Sequence, residues 1–297
     1  MNNKLSELTV NILTHRTDIN ILTDCVKSIS KDVSINIIEN SQKFENKKYI
    51  EKLDQNVNII CTGNNLGYAG GHNYGISNVK TRYVLVLNPD LICKKNYFEK
   101  IQKYLKEEIN FHIIGSQYEE INMNKPAYGL FSSTSYNPKI SVNENNLQSV
   151  DWVVGCSMLI DLSKFNSKKI FDDNFFLFYE ETDLCKRVKS EKGSVFSSKD
   201  LIIDHFGEKG SFATQKDKEY SYLKLRNWHL MWSSFYFYKK NFSYIFALKI
   251  LSGTFIKSLF KIIFFGLTFN KYNFTKHLHR LLGLFNSMIG KKSWFRV

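Results

Sequence analysis

Several absences narrow the reading before any motif does. The five cysteines, Cys25, Cys61, Cys93, Cys156 and Cys185, are odd in number, far apart and never arranged as C-x-x-C. That spacing suggests neither a zinc site nor a disulfide framework, so free buried thiols in a reducing cytoplasm are expected. The amino-terminal stretch MNNKLSELTVNILTHRTD has no apolar h-region, so no secretory signal is expected. No internal repeat or low-complexity linker is visible. Acidic residues are missing altogether from Tyr220 to Val297, a stretch that carries thirteen Lys and Arg. The remaining 28 basic residues match the 28 acidic ones, so the net charge of +13 belongs entirely to residues 220–297. Such asymmetry points to an anionic partner surface for that region, either lipid or nucleic acid.

Glycine is also sparse, yet five of the 15 glycines fall within GNNLGYAGGHNYG, Gly63 to Gly75. Glycine serves where φ must be positive or where backbone and ligand come close. The stretch contains neither G-x-G-x-x-G nor G-K-[ST], and it follows the third strand rather than the first. A ligand wall and a ligand-free connection therefore both remain open.

Around it, short apolar runs alternate with helical patterns. LTVNILT (Leu8–Thr14), INIIE (Ile35–Glu39), VNIIC (Val57–Cys61), YVLVL (Tyr83–Leu87), WVVGCSMLI (Trp152–Ile160) and LIIDH (Leu201–His205) read as strands. INILTDCVKSI reads as a helix, another opens near His72, and YEETDLCKRVK reads as a helix from about Glu180. The strands are continuously apolar, as strands buried on both faces are. The expected fold class is α/β, an open, mostly parallel sheet with helices on both faces and ligands beyond the strands' carboxyl ends. Residues 117–150 read as an irregular polar excursion. Residues 1–219 are expected to form the α/β domain, and 220–297 a basic, apolar helical region. Within the latter, SYIFALKILSGTFIKSLFKIIFFGLTF places Lys249, Lys257 and Lys261 within roughly one third of a helix circumference. Those lysines break the apolar run short of the ~20 residues a spanning helix needs. An amphipathic helix lying on a membrane surface is the better expectation, with HLHRLLGLFNSMI as a second.

Polar residues gather at the ends of these runs. LNPD presents Asp90 after a buried strand, because proline ends pairing and keeps Asn88 extended. Asp90 there is either a ligand for a hard cation or an ordinary turn residue. Glu180, Glu181 and Asp183 crowd the start of one helix, where like charges raise one another's pKa and suit a general base. Asp183 alternatively pairs with Arg187 four residues on. His205 at a strand end reads as a metal ligand, a base or a structural histidine, and Asp204 as a turn residue.

The order VNILTHR, IIENS, NNLGYAGGHNYGI, VLVLNPD, DWVVGCSMLI, FDDNFFLFYEETDLCKR, HFGEKGS and LRNW resembles family 2 glycosyltransferases with the GT-A fold. The likeness is to the bacterial rhamnosyltransferase and galactofuranosyltransferase type and runs from about Leu8 to Asn227. It implies a nucleotide-sugar site at Thr14, Arg16, Glu39, Ser41, Asn65, Gly67, Gly71, Asn73, Asn88 and Asp90. It implies Mg²⁺ or Mn²⁺ on Asp90 and His205, with Asn88 in place of the first aspartate of D-x-D. His205 stands 24 residues after Glu181, a spacing similar enzymes share. Glu181 falls at the general-base position and Trp152, Glu180 and Asp183 near the acceptor. The implied reaction is inverting transfer of a sugar, rhamnose first, from a dTDP- or UDP-sugar to a glycan acceptor. That acceptor is lipid-linked, at the cytoplasmic face of the bacterial plasma membrane. The family replaces nucleic acid by an anionic membrane surface as the partner of the basic region. Two alternatives stand beside it: a degenerate relative that scaffolds glycan assembly, because positions 88 and 181 depart from the usual aspartates, or a basic nucleic-acid-binding protein, because of the basic, aromatic 220–297 region.

Overall fold

A computed structural model describes residues 3–53, 56–118, 128–129, 143, 145–205 and 219–296. In chain order the first half holds β1 (Leu8–Thr14), α1 (Ile19–Lys27), β2 (Ser34–Glu39), α2 (Lys47–Ile50), β3 (Val57–Cys61), α3 (Gly67–Ser77), β4 (Tyr83–Leu87), β5 (Leu91–Cys93), α4 (Tyr97–Lys106) and β6 (Ile113–Tyr118). There follow β7 (Tyr128–Gly129), β8 (Leu147–Ser149), β9 (Trp152–Val153), β10 (Ser157–Asp161), α5 (Glu180–Ser190), β11 (Val195–His205), α6 (Glu219–Asn241), α7 (Tyr244–Leu267) and α8 (Lys271–Met288).

The main sheet runs β3-β2-β1-β4-β10-β6-β11-β5, with β8 added beside β11. β3, β2, β1 and β4 are mutually parallel, with Ile12 facing Ile37 on one side and Leu87 on the other. β10 then enters antiparallel between β4 and β6. Both faces are covered, which accounts for the unbroken apolar runs. One face buries Val10, Ile12, Ile37 and Leu85 beneath α1 and α4, through Leu22, Val26, Ile101 and Tyr104. The other buries Val84, Val86, Met158 and Ile160 beneath α3 and α5, through Ala69, Ile76, Leu184 and Val188. The α/β class and its two-faced covering are as expected.

Two boundaries differ from the sequence reading. The helix placed near His72 begins at Gly67. The run Trp152–Ile160 is two strands: β9 pairs with β7 in a separate ribbon, and β10 joins the main sheet. Gly155 lies at the break, where a Cβ would stand 3.2 Å from Cβ of Glu181, so the close approach favours glycine there. The polar excursion is described only in part, and the residues of GEKGS after His205 and Phe206 lie outside the described residues, as does Phe206.

The helical region docks through α6, whose Phe237 belongs to the α3–α5 core. α8 lies on α6 so closely that Gly283 meets the Trp228 backbone. α7 packs on this pair through a stripe of Ala247 and Leu251, beside Met231, Phe235 and Leu284. Its outward face is apolar: Ile245, Phe260 and Leu267 are 77%, 70% and 75% exposed, with Ile256, Ile263 and Phe264 also exposed. By length and composition α7 can cross a membrane, because its 24 residues contain an 18-residue window of mean hydropathy 1.6. The lysines therefore interrupt the run less than their spacing suggested.

Candidate active site

The carboxyl ends of β1, β2 and β4 open into a cleft of about 1280 Å³. Eight of the ten residues expected to contact a nucleotide sugar line it: Thr14, Arg16, Glu39, Ser41, Asn65, Gly67, Asn88 and Asp90. Parallel pairing brings Thr14 level with Glu39, and the two make a buried hydrogen bond of 2.7 Å from Thr14 Oγ1 to Glu39 Oε2. The other Glu39 oxygen accepts the Arg16 backbone N–H at 3.3 Å. Arg16 adopts φ of 54° to make that turn. The carboxylate is thereby fixed in orientation at the cleft wall.

The glycine stretch forms another wall, and its amides are already engaged. Leu66 N–H donates to Asn40 Oδ1 at 2.9 Å, Gly67 N–H to Asn65 Oδ1 at 2.9 Å and Tyr68 N–H to the Phe176 carbonyl at 2.8 Å. These three amides are therefore spent on the protein itself rather than held out toward a phosphate. Gly67 is required by its φ of +76° and by contact with Phe176. Asn40, 3% exposed, organises the loop by donating to Asn65 Oδ1 and the Gly67 carbonyl, both at 3.0 Å. Sequence reasoning passed over Asn40, although a buried polar residue directly after an apolar strand was the available signal.

Gly71 and Asn73 do not line the cleft. Gly71 packs against Leu13, and Asn73 closes a buried pair of bonds with Phe171, donating to its carbonyl at 2.9 Å and accepting its N–H at 3.0 Å. Asn73 therefore fastens α3 to the segment before α5, which corrects its assignment as a ligand contact.

Asp90 is 3% exposed and lines the cleft. The next residue, Leu91, pairs directly with His205 across the β5–β11 ladder. The backbone thus sets His205 beside the Asp90 turn, while the His205 side chain lies outside the described residues. Among the described residues no group of three His, Cys, Asp or Glu is placed to hold a metal. A buried carboxylate at the cleft floor nevertheless has the oxygen chemistry that a hard divalent cation needs.

The acidic cluster opens α5 after two consecutive left-handed residues, Phe178 and Tyr179, both at φ of 70°. Glu181 is partly exposed and accepts the Thr182 hydroxyl at 3.0 Å. Burial pushes its carboxyl above the ordinary glutamate value. Glu180 is 4% exposed, and among the described residues its Oε2 has no hydrogen-bond partner. Burial, and then the neighbouring Glu181 charge, push its carboxyl well upward. Glu181 connects to the cleft through Tyr68, whose hydroxyl donates to the carbonyl of Gly155, the residue packed on Glu181. Trp152 is half-buried on β9 against the α3–α5 core. Asp183 differs from expectation. Fully buried, it accepts from Arg187 Nε at 3.0 Å, Lys240 Nζ at 2.8 Å and Asn241 Nδ2 at 3.0 Å. Three donors and no exposure make it the tie between α5 and α6 rather than an acceptor contact.

Residues 9–175 match the family model described as glycosyl transferase family 2. The chain is 28% identical over 236 residues to the low-salt glycan biosynthesis hexosyltransferase Agl10 of Haloferax volcanii, covering 75% of this chain and 74% of that protein. It is 25% identical over 149 residues to the rhamnosyltransferase WbbL of Escherichia coli K12, covering 43% of this chain and 56% of that one. The fold is similar to the mannosyltransferase PcManGT of Pyrobaculum calidifontis, solved with GDP-Man and Mn²⁺. There the TM-score is 0.55, the identity 8% and the coverage 96% and 88%. GalNAc-T7, solved with UDP, GalNAc and Mn²⁺, gives a TM-score of 0.56 at 13% identity over 78% of this chain, which spans about half of that protein.

Proposed function

The chain belongs to glycosyl transferase family 2, and from that premise we propose that its cleft binds a nucleotide-diphosphate sugar for inverting transfer to a glycan hydroxyl. The observation that carries this reading is the convergence of Thr14, Glu39, Asn88 and Asp90 at the carboxyl ends of adjacent strands, in one cleft. Thr14 and Glu39 present a fixed acceptor to the donor's nucleoside. Asn88 and Asp90 face the diphosphate. Asp90 and His205 would hold Mg²⁺ or Mn²⁺, which offsets negative charge on the departing diphosphate when bound.

Glu181 is the general base in this reading. Burial raises its pKa above the ordinary glutamate value, which makes the carboxylate a stronger proton acceptor, and general-base catalysis is worth roughly 10²–10⁴-fold. The acceptor oxygen forms a bond to the anomeric carbon as its proton passes to Glu181. The bond from that carbon to the diphosphate oxygen breaks, and its electron pair leaves with the nucleoside diphosphate. Glu180 is buried beside the base, and burial and then the Glu181 charge push its carboxyl upward, which disfavours a second charge in the first turn of α5.

The rhamnosyltransferase relative favours a dTDP-rhamnose donor, and the hexosyltransferase relative makes a hexose the second reading. For the acceptor, the outward apolar face of α7 and the acid-free 220–297 region favour a lipid-linked glycan at the cytoplasmic leaflet. Each Lys or Arg near an anionic surface contributes about 1 kcal/mol. α7 remains packed on α6 and α8, which favours lying in the interface over crossing it. Thermal-shift and turnover assays with UDP-, dTDP- and GDP-sugars, with and without Mn²⁺, test the proposal. No shift and no turnover with any donor would refute it.

A further inference from the structure

The segment after α8 turns back across α6 and brings a guanidinium into the cleft. Trp232 Nε1 donates to the Lys291 carbonyl at 2.9 Å, and Trp294 Nε1 donates to Asn286 Oδ1 at 3.2 Å. Buried His229 stands between Ser293 and Phe295. Its Nε2 lies 2.9 Å from the Phe295 carbonyl, which can only accept, so Nε2 carries the proton. Nδ1 then accepts the Ser293 hydroxyl at 3.0 Å. Burial lowers the His229 pKa to about 4, so this neutral tautomer persists at physiological pH. The Phe295 ring stacks on Trp228 with centroids 5.6 Å apart. Residues 291–296 are therefore a strap fastened to three side chains of one α6 turn.

The strap delivers Arg296 to the donor cleft, with its guanidinium carbon 3.5 Å from the Phe176 ring centroid. Phe176 is the residue whose carbonyl takes the Tyr68 N–H, so a single ring separates Arg296 from the glycine wall. Nη1 donates to the Ser293 and Phe295 carbonyls, and among the described residues the Nε and Nη2 protons are left for a ligand. Among the described residues no carboxylate forms an ion pair with Arg296. A second guanidinium, that of Arg226 on α6, lines the same cleft.

We propose that Arg296 is a donor-binding residue whose guanidinium engages the diphosphate of the nucleotide sugar. This assignment rests on the cleft being the donor site. A planar guanidinium matches paired phosphate oxygens in a way that an ammonium does not. Stacking on Phe176 and two carbonyl bonds orient it in advance, which limits the ordering cost of engagement. The strap thus makes the α6–α8 unit part of the donor site.

The test is calorimetric binding of UDP, dTDP and GDP, each beside its own nucleoside, to full-length wild type, R296A and R296K. R296A is expected to weaken the preferred nucleoside diphosphate about tenfold, as loss of a charged hydrogen bond does. The nucleoside alone should bind R296A as it binds wild type. R296K is expected to lie between the two for the diphosphate. Equal loss for diphosphate and nucleoside would show a merely structural strap and overturn the assignment, as would unchanged diphosphate affinity in R296A. Failure of wild type to bind any of the six compounds would overturn the donor-site reading together with it.

Discussion

Gly67 and Gly63 provide a matched pair for testing how the glycine wall is built. Both adopt positive φ, +76° and +82°. An L-residue in that region costs roughly 1–2 kcal/mol. The two differ in their surroundings. Among the described residues a Cβ on Gly63 would meet nothing within 4 Å, whereas one on Gly67 would collide with the carbonyl oxygen, Cα and ring of Phe176. Backbone cannot rotate aside as a side-chain tip can, so G67A must push the Phe176 segment away. That breaks the Tyr68 N–H bond to Phe176, adding about 0.5–1.5 kcal/mol, together with packing loss of similar size. G63A is therefore expected to cost about 1–2 kcal/mol and G67A about 1.5–3.5 kcal/mol on the conformational and hydrogen-bond terms combined, with the packing loss in addition. Urea unfolding of both variants, read at constant m, measures the difference. Equal destabilisation would refute the claim that close approach to Phe176, beyond backbone conformation, requires Gly67.

Three further outcomes follow from other parts of the molecule. Introducing charge on the outward face of α7 with F260E/I263E should reduce flotation with anionic liposomes by at least about 30-fold, since each side chain would otherwise bury roughly 1–2 kcal/mol of apolar surface; unchanged flotation would exclude that face. D183A should lower stability by roughly 2–3 kcal/mol, below the usual range for a broken buried pair because Arg187 and Lys240 reach solvent. Its turnover per folded molecule should hold, and a selective loss of acceptor affinity would restore Asp183 to the acceptor site. The raised carboxyls of Glu180 and Glu181 fix the sign of a pH effect. The folded state holds protons that the unfolded state has released, so stability should fall as pH rises from about 4.3, the unfolded glutamate value, through the folded values. The same titration puts the acid limb of kcat/KM above 4.3. A limb at or below that value, measured across a pH series, would remove the buried base.

Much of this was legible because buried strands leave a one-dimensional trace. The apolar runs ending in Thr14, Glu39 and Leu87 are strands, and the polar residues after them face one cleft because parallel pairing aligns their ends. What escaped the sequence depended on approach between distant segments. The run Trp152–Ile160 splits near Gly155, where Glu181 packs closely, and no periodicity reports that contact. Asn73 sits within a suggestive motif, yet its amide is spent on Phe171 nearly a hundred residues away. Asp183 looked like either half of an ion pair or a site residue, and Lys240 and Asn241 of α6 decided the matter. Arg296 carried no local signal, since only the fold of the strap over Trp228, His229 and Trp232 brings it to the cleft. The outward direction of α7 likewise follows from which stripe α6 and α8 cover.

The central claim is that the cleft binds a nucleotide-diphosphate sugar and that Glu181 accepts the acceptor's proton. Parallel measurement of donor binding and nucleoside-diphosphate release by wild type and E181Q, with Mn²⁺ and across the donor panel, addresses both halves at once. The account predicts comparable donor affinity in the two proteins and release at least about 10²-fold slower in E181Q. Release by E181Q at the wild-type rate, or no donor binding by wild type, would contradict it.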